Sequence, residues 1–236
     1  MGAVFKRELQ SYFYTPAAYV FMGVFLALSS VLFAVGNLQA LSGDLPRLIA
    51  SMGYLWMLLS PVLTMRLMAA ERHQKTDRLL FSSPCSITGV VAGKYLAAAL
   101  VLVLTVLCTG VYALIVAVWG KLYPAETMVC YLGLLLLGMS FLALDLFVSC
   151  FAKSQMTAVL LGFGANLLLW LADVIARAVT VEAVTDVLHF LSLYQRFEPF
   201  TQGQLSFSNV LYNLIFIGLM LFLSVRVLDA RRWSEA

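Results

Sequence analysis

The sequence predicts an all-α membrane protein with six transmembrane helices, and three observations carry that reading. Hydrophobic residues fill 62% of the 236 positions and charged residues only 11%, whereas a soluble domain holds roughly half apolar and about a quarter charged. The mean hydropathy is correspondingly high, at +0.94. The apolar residues also gather in long charge-free runs, each near or above the roughly 20 residues a helix needs to cross the hydrocarbon. None alternates with period two, as a barrel strand would. This composition excludes a secreted disulfide scaffold, a nucleic-acid-binding domain and a disordered chain.

Residues 4–14 come before the first run. Phe5, Leu9, Tyr12 and Phe13 recur at helical spacing, with Lys6, Arg7, Glu8 and Gln10 on the other side. The pattern predicts an amphipathic helix lying in the membrane interface. Periodicity does not separate a simple anchor from an elbow that docks a partner. Pro16 allows a turn into the first span, 17–37. Lys6 and Arg7 before an apolar run look like the start of a signal peptide, but the run outlasts a signal core and five more spans follow. An uncleaved first helix is therefore expected.

The remaining spans are bounded by charge. Residues 48–65 lie between Arg47 and Arg66, and 95–120 follow Lys94. Residues 127–152 are broken only by Asp145, 154–172 follow Lys153, and 208–225 end before Arg226. The whole chain, 1–236, is read as a single transmembrane domain. Lys6, Arg7, Arg66, Arg72, Lys75, Arg78, Lys94, Lys153, Arg226, Arg231 and Arg232 fall on one side, against Arg47, Lys121, Arg177 and Arg196 on the other. The positive-inside rule then places both termini in the cytoplasm of a cell whose inner membrane holds the protein.

Two segments between spans are unusual. The one from Arg66 to Lys94 is the longest on the cytoplasmic side and the most charged. Within it, residues 71–81 read as a short helix with a charged start and the apolar end Leu79, Leu80 and Phe81. Ser82, Ser83 and Pro84 stop it. Apolar residues on such a segment need a cover, either membrane or a partner protein. Gly89, Gly93 and Ala97 then recur every four residues, a stripe suited to close helix packing. On the outer side, 173–207 carries Val184, Leu188, Leu191 and Leu193, too apolar for a solvated loop. One or two short helices at the interface are expected there, dipping against spans five and six.

Several chemistries are missing. Cys85, Cys108, Cys130 and Cys150 show no paired spacing, and only Cys130 approaches the outer face, so packing roles are expected rather than a disulfide, redox or metal site. His73 and His189 fall on opposite sides of the membrane, which leaves no histidine metal site. The run from Gly89 to Tyr95 fails as a phosphate loop, because three residues rather than four separate its glycines and Tyr95 follows Lys94. No histidine or second acid lies within a span to serve an intramembrane hydrolase.

Asp145 is the one acid well inside a span, and an ionisable group there is a functional candidate. It precedes Lys153 by eight residues, about 12 Å along a helix. Arg66 lies at a comparable depth by the same counting, so an Asp145–Arg66 pair is expected. A solvated position beside a cytoplasmic cavity and a proton relay are the alternatives.

These residues also carry a resemblance. Glu71, Arg72, His73, Gln74, Lys75 and Thr76, followed by Leu79, Leu80, Ser83, Pro84, Gly93 and Lys94, resemble the cytoplasmic loop of ABC-2 type permeases, the membrane subunits of ATP-driven transporters. The opening from Phe5 to Val20, the stretch from Leu191 to Gly203 and the tail from Val225 to Trp233 resemble the branch that includes gliding-motility and copper-delivery permeases. Lys75 departs from the pattern, which usually has Gly there.

The resemblance implies that residues 71–81, with Glu71, Arg72, Lys75, Thr76, Arg78, Leu79, Leu80 and Phe81, form a coupling helix seated in a separate ATPase subunit. ATP and Mg would be bound by that partner, with no cofactor in this chain and no catalytic residue. It implies a second permease, identical or paralogous, paired through spans one and five with the substrate path between them. Ala158 and Gly162 offer a small-residue face for that contact, and the same face suits packing within one chain. An accessory protein on the outer side is a further partner of this class. Export is the direction the resemblance implies. The rivals are a membrane scaffold or sensor subunit that docks an ATPase without transporting, and a secondary transporter, which would show more intramembrane charge and an inverted repeat.

Overall fold

The computed structural model describes residues 2–40, 42–68, 86–120, 123–178 and 192–234. They form helices throughout: α1 (Gly2–Tyr14), α2 (Ala17–Phe33), α3 (Leu45–Thr64), α4 (Ile87–Trp119), α5 (Pro124–Ser149), α6 (Gln155–Ala178), α7 (Leu193–Thr201) and α8 (Phe207–Ser234). A π-helical turn over Ala34–Gln39 extends α2. Six of them, all but α1 and α7, are long and apolar enough to cross a membrane.

The ends follow local chemistry. The Asp44 carboxylate accepts from the Arg47 amide to open α3, and the Ser86 hydroxyl accepts from the Gly89 amide to open α4. Each fills one of the donors a helix start leaves orphaned. α4 begins at Ile87, eight residues ahead of the expected boundary, because Lys94 is not a solvated flank but a buried residue within the helix. At 33 residues it runs about 50 Å, well beyond the hydrocarbon thickness. α8 likewise outlasts its expected end at 225 and continues to Ser234.

α5 is the centre of the bundle. It borders α3, α4, α6, α7 and α8, and it is the most enclosed of the six long helices. Trp56 on α3 is fully buried and stacks on Phe25 of α2 at a centroid distance of 4.5 Å. α2 and α6 present long apolar faces outward, through Val20, Val31 and Val35 on one and Met156, Leu160 and Leu168 on the other. A water-facing surface of that kind would be untenable; a lipid-facing one is expected.

The outer segment is built around α7. This short helix packs mainly on α5, the fourth span, and also on α3, on α6 and on α8, so it meets spans five and six as expected but leans most on span four. Its Phe200 ring lies over Gly133, where an added Cβ would come within 2.4 Å of the Phe200 Cβ. Ser192 caps α7 and donates to the Asp173 carboxylate at 2.7 Å. Residues 179–191 of the expected outer segment lie outside the described residues. Gly203 takes φ +74, the left-handed turn that leads from α7 toward α8.

Candidate functional site

Two polar clusters stand out in this apolar bundle, one between α3, α5 and α6 and one at the end where α1 lies.

The first starts from Pro61. Proline has no N–H, so inside α3 the carbonyl of Met57 loses the donor a regular helix would supply. The side chain of Asn166 on α6 replaces it, its Nδ2 donating to Met57 O at 3.1 Å. The same amide lies 3.2 Å from Ser60 Oγ and 3.4 Å from Asp145 Oδ2. Ser60 donates to Asp145 Oδ2 at 2.5 Å. Asp145 is 1% exposed, and Ser60 and Asn166 are fully buried. Among the described residues, Asp145 Oδ1 and Asn166 Oδ1 have no hydrogen-bond partner. Gly162 permits the approach: a Cβ on it would sit 3.0 Å from both Asp145 Oδ1 and the Pro61 ring.

This arrangement corrects two expectations. Asp145 does not pair with Arg66. Its oxygen meets Ser60, six residues up α3 from Arg66, which is about 9 Å of helical rise. Arg66 instead turns to Thr15, the residue after α1, donating to its Oγ1 at 3.0 Å. Nor do Ala158 and Gly162 form an outward packing face. Both are buried within the single chain, Gly162 against α3 and α5, and Ala158 beside Ala152 with Met65 against them.

The second cluster joins α1 to the roots of α3 and α4. Tyr12 donates its hydroxyl to Leu63 O at 2.7 Å. Lys94, 0% exposed, reaches from α4 to Glu8 Oε1 at 3.2 Å and to Leu67 O at 2.5 Å. Burial, with the Glu8 carboxylate adding to it, pushes the Tyr12 phenol well above its usual range. On α1, Phe5, Leu9, Tyr12 and Phe13 turn inward to differing depths, while Lys6 and Arg7 are exposed. Phe13 meets Tyr19 edge-on at 5.9 Å. Glu8 differs from expectation: it belongs to the inward face because Lys94 is there to receive it.

The expected coupling residues, Glu71, Arg72, Lys75, Thr76, Arg78, Leu79, Leu80 and Phe81, lie outside the described residues, as do His73 and His189. Among the described residues no cluster of histidine, cysteine and acids has the make-up of a metal site. Cys130 and Cys150 are buried, and Cys108 is exposed on α4. Sequence reading missed the burial of Lys94, and it missed Ser60 and Asn166 altogether. The first was taken for a flank, and the other two are neutral residues with no charge to mark them.

A family model described as an ABC-2 family transporter protein matches residues 34–228. No curated protein matches the chain.

Proposed function

Because this chain belongs to the ABC-2 family of transporter membrane proteins, we propose that it is the permease subunit of an ATP-driven exporter, paired with a second permease and powered by a separate ATPase. Membership in the family carries this reading, since such membrane components normally rely on an ATPase made as another chain. The six long apolar helices supply the membrane part. The basic-residue asymmetry supports an orientation with α1 and both termini in the cytoplasm of a bacterial inner membrane.

In this reading residues 71–81 dock the ATPase. The described residues on either side of it lie near α1: Lys94 of α4 meets both Leu67, just beyond α3, and Glu8 of α1. Closure of the ATPases on ATP would shift α3 and α4 as rigid bodies and switch the cavity between two accessible states of nearly equal energy. The dimer contact would fall on the outward faces of α2 and α6, through Val20, Val31, Leu160 and Leu168, and no longer on Ala158 and Gly162.

Charge reversal at Arg72, Lys75 or Arg78, or the substitution Leu80→Asp, tests the docking assignment. Each should weaken co-purification of the ATPase or uncouple its hydrolysis from transport. Full co-purification with unchanged coupled hydrolysis in all four variants would reject it.

A further inference from the structure

A groove between α4 and α8 has hydrocarbon walls and a charged mouth. Val91 and Ala92 on α4 and Leu221 and Val225 on α8 form the walls, while Arg226 and Asp229 of α8 complete the lining. Its volume is about 350 Å³, within the range of ligand-sized clefts. A second groove, lined in part by Phe5, Leu96 and Leu100, has no polar side chain in its lining. The charges single out the first.

Arg226 follows the apolar run 208–225, and α8 carries it past the end of that run without a break. A cation in that place lies at the level of lipid headgroups. Its guanidinium rests over the Phe222 ring, 5.2 Å from the centroid, which keeps the charge beside the groove. Asp229 stands three residues on and is partly buried. Residues at that spacing share a helix face, with Cβ atoms about 5–6 Å apart. Among the described residues neither Arg226 nor Asp229 joins an ion pair. Thr88, in the first turn of α4, adds a hydroxyl to the lining.

An apolar slot that ends in a cation and an anion, close together yet unpaired, matches one class of membrane molecule. The slot suits an acyl chain. The guanidinium suits a phosphate, which it meets with paired donors. The carboxylate suits a primary ammonium, which brings N–H donors of its own. Phosphatidylethanolamine carries all of these, with a short ethylene spacer between phosphate and amine. Phosphatidylglycerol has no cation to set against Asp229, and the choline head has a cation without N–H donors.

We propose that this groove binds a phosphatidylethanolamine molecule from the surrounding leaflet, with its phosphate on Arg226, its ammonium on Asp229 and one chain between Ala92 and Val225. In the orientation given above this is the cytoplasmic leaflet. The lipid fills the gap that α4 and α8 leave at that end of their contact. The site rests on the membrane-spanning fold alone and is independent of ATPase docking.

The full-length chain, purified and stripped of lipid in detergent, is titrated with phosphatidylethanolamine, phosphatidylglycerol or phosphatidylcholine of identical chains, and bound lipid is counted by native mass spectrometry. Phosphatidylethanolamine should bind about ten-fold more tightly than either of the others, the equivalent of one charge-assisted hydrogen bond. Arg226→Gln should weaken it by a similar factor. Asp229→Asn should bring it down to the level of phosphatidylcholine, whose retained binding shows that the variant is folded. Ala92→Phe, which fills the slot, should weaken all three lipids. Soluble glycerophosphoethanolamine, which has the head without the chains, should not compete.

Equal binding of the three lipids, unchanged by Arg226→Gln and Asp229→Asn, marks ordinary boundary lipid and overturns the site. Tighter binding of phosphatidylglycerol overturns the role of Asp229. Competition by glycerophosphoethanolamine overturns that of the slot. Cross-linking of two chains through Ala92→Cys gives the groove to a second copy and rejects the lipid.

Discussion

Asn166 on α6 donates its amide to the carbonyl of Met57 on α3, occupying the place of the N–H that Pro61 lacks. A break within one helix is thereby sealed by a side chain from another. Restoring the proline's missing donor should make that seal redundant. Asn166→Ala should lower stability by about 1–2 kcal/mol in the parent and by distinctly less in a Pro61→Ala background. Thermal unfolding of the four variants in detergent gives the coupling. Strictly additive shifts would show that Asn166 acts elsewhere.

The same node predicts the behaviour of Asp145. Its Oδ2 accepts from Ser60 and lies within reach of Asn166, so Asp145→Ala leaves the buried Ser60 hydroxyl without its acceptor and takes one of three acceptors from the Asn166 amide. The expected loss is about 1–3 kcal/mol. Ser60→Ala should then cost little in the Asp145→Ala chain, because its acceptor is already gone. Equal costs of Ser60→Ala in the two backgrounds would contradict a direct hydrogen bond.

Gly133 tests how tightly α7 is seated. A side chain there collides with Phe200 at 2.4 Å, whereas Gly110 and Gly164 have nothing within 4 Å of a new Cβ. Gly133→Val should destabilise by about 1–3 kcal/mol through overpacking, or displace α7 from α5. Gly110→Ala, within the regular helix α4, should be neutral or stabilising by up to about 1 kcal/mol. Cysteine accessibility along α7 distinguishes displacement from strain.

Alkaline pH gives a fourth check. Tyr12 donates to Leu63 O and Tyr194 to Gly53 O, and burial raises both phenols. A tyrosine raised on folding stays neutral in the folded chain, while the unfolded chain ionises from about pH 10. Its contribution is therefore complete below that pH and lost as pH rises beyond it. The Tyr12→Phe, Tyr194→Phe chain should be less stable near neutrality, by roughly 1 kcal/mol per lost hydrogen bond. It should also lose stability less steeply between pH 10 and higher values. Parallel curves for parent and variant would refute this.

The spans were legible because a bilayer excludes charge, so uncharged runs of about 20 residues announce themselves. The same rule misled at Lys94. A charge was read as a boundary, and only the fold shows that Glu8 and the end of α3 converge on it. Glu8 was misplaced for the same reason, since its inward turn depends on a residue 86 positions away. The partner of Asp145 was missed because charge was sought. Ser60 and Asn166 are neutral, and serine and asparagine inside an apolar run do not reveal which way they face. Gly162 was singled out for a contact with a second chain, but spacing alone does not tell such a contact from the internal one it makes with Asp145 and Pro61.

The central place of α5 bears on how the protein is made. α2, α3 and α4 emerge from the ribosome before the helix they are to lean on, so an early chain of three helices has only its own mutual contacts to hold it in lipid. Ser29 and Ser30 meeting Tyr112, and Phe25 meeting Trp56, can keep those three together meanwhile. α7 and α8 make the larger part of their contacts with α5, so these two helices can settle only once the fourth span has entered. A stall or cut near residue 120 should therefore leave a fragment that quality-control proteases clear, whereas one that ends after α5 should survive.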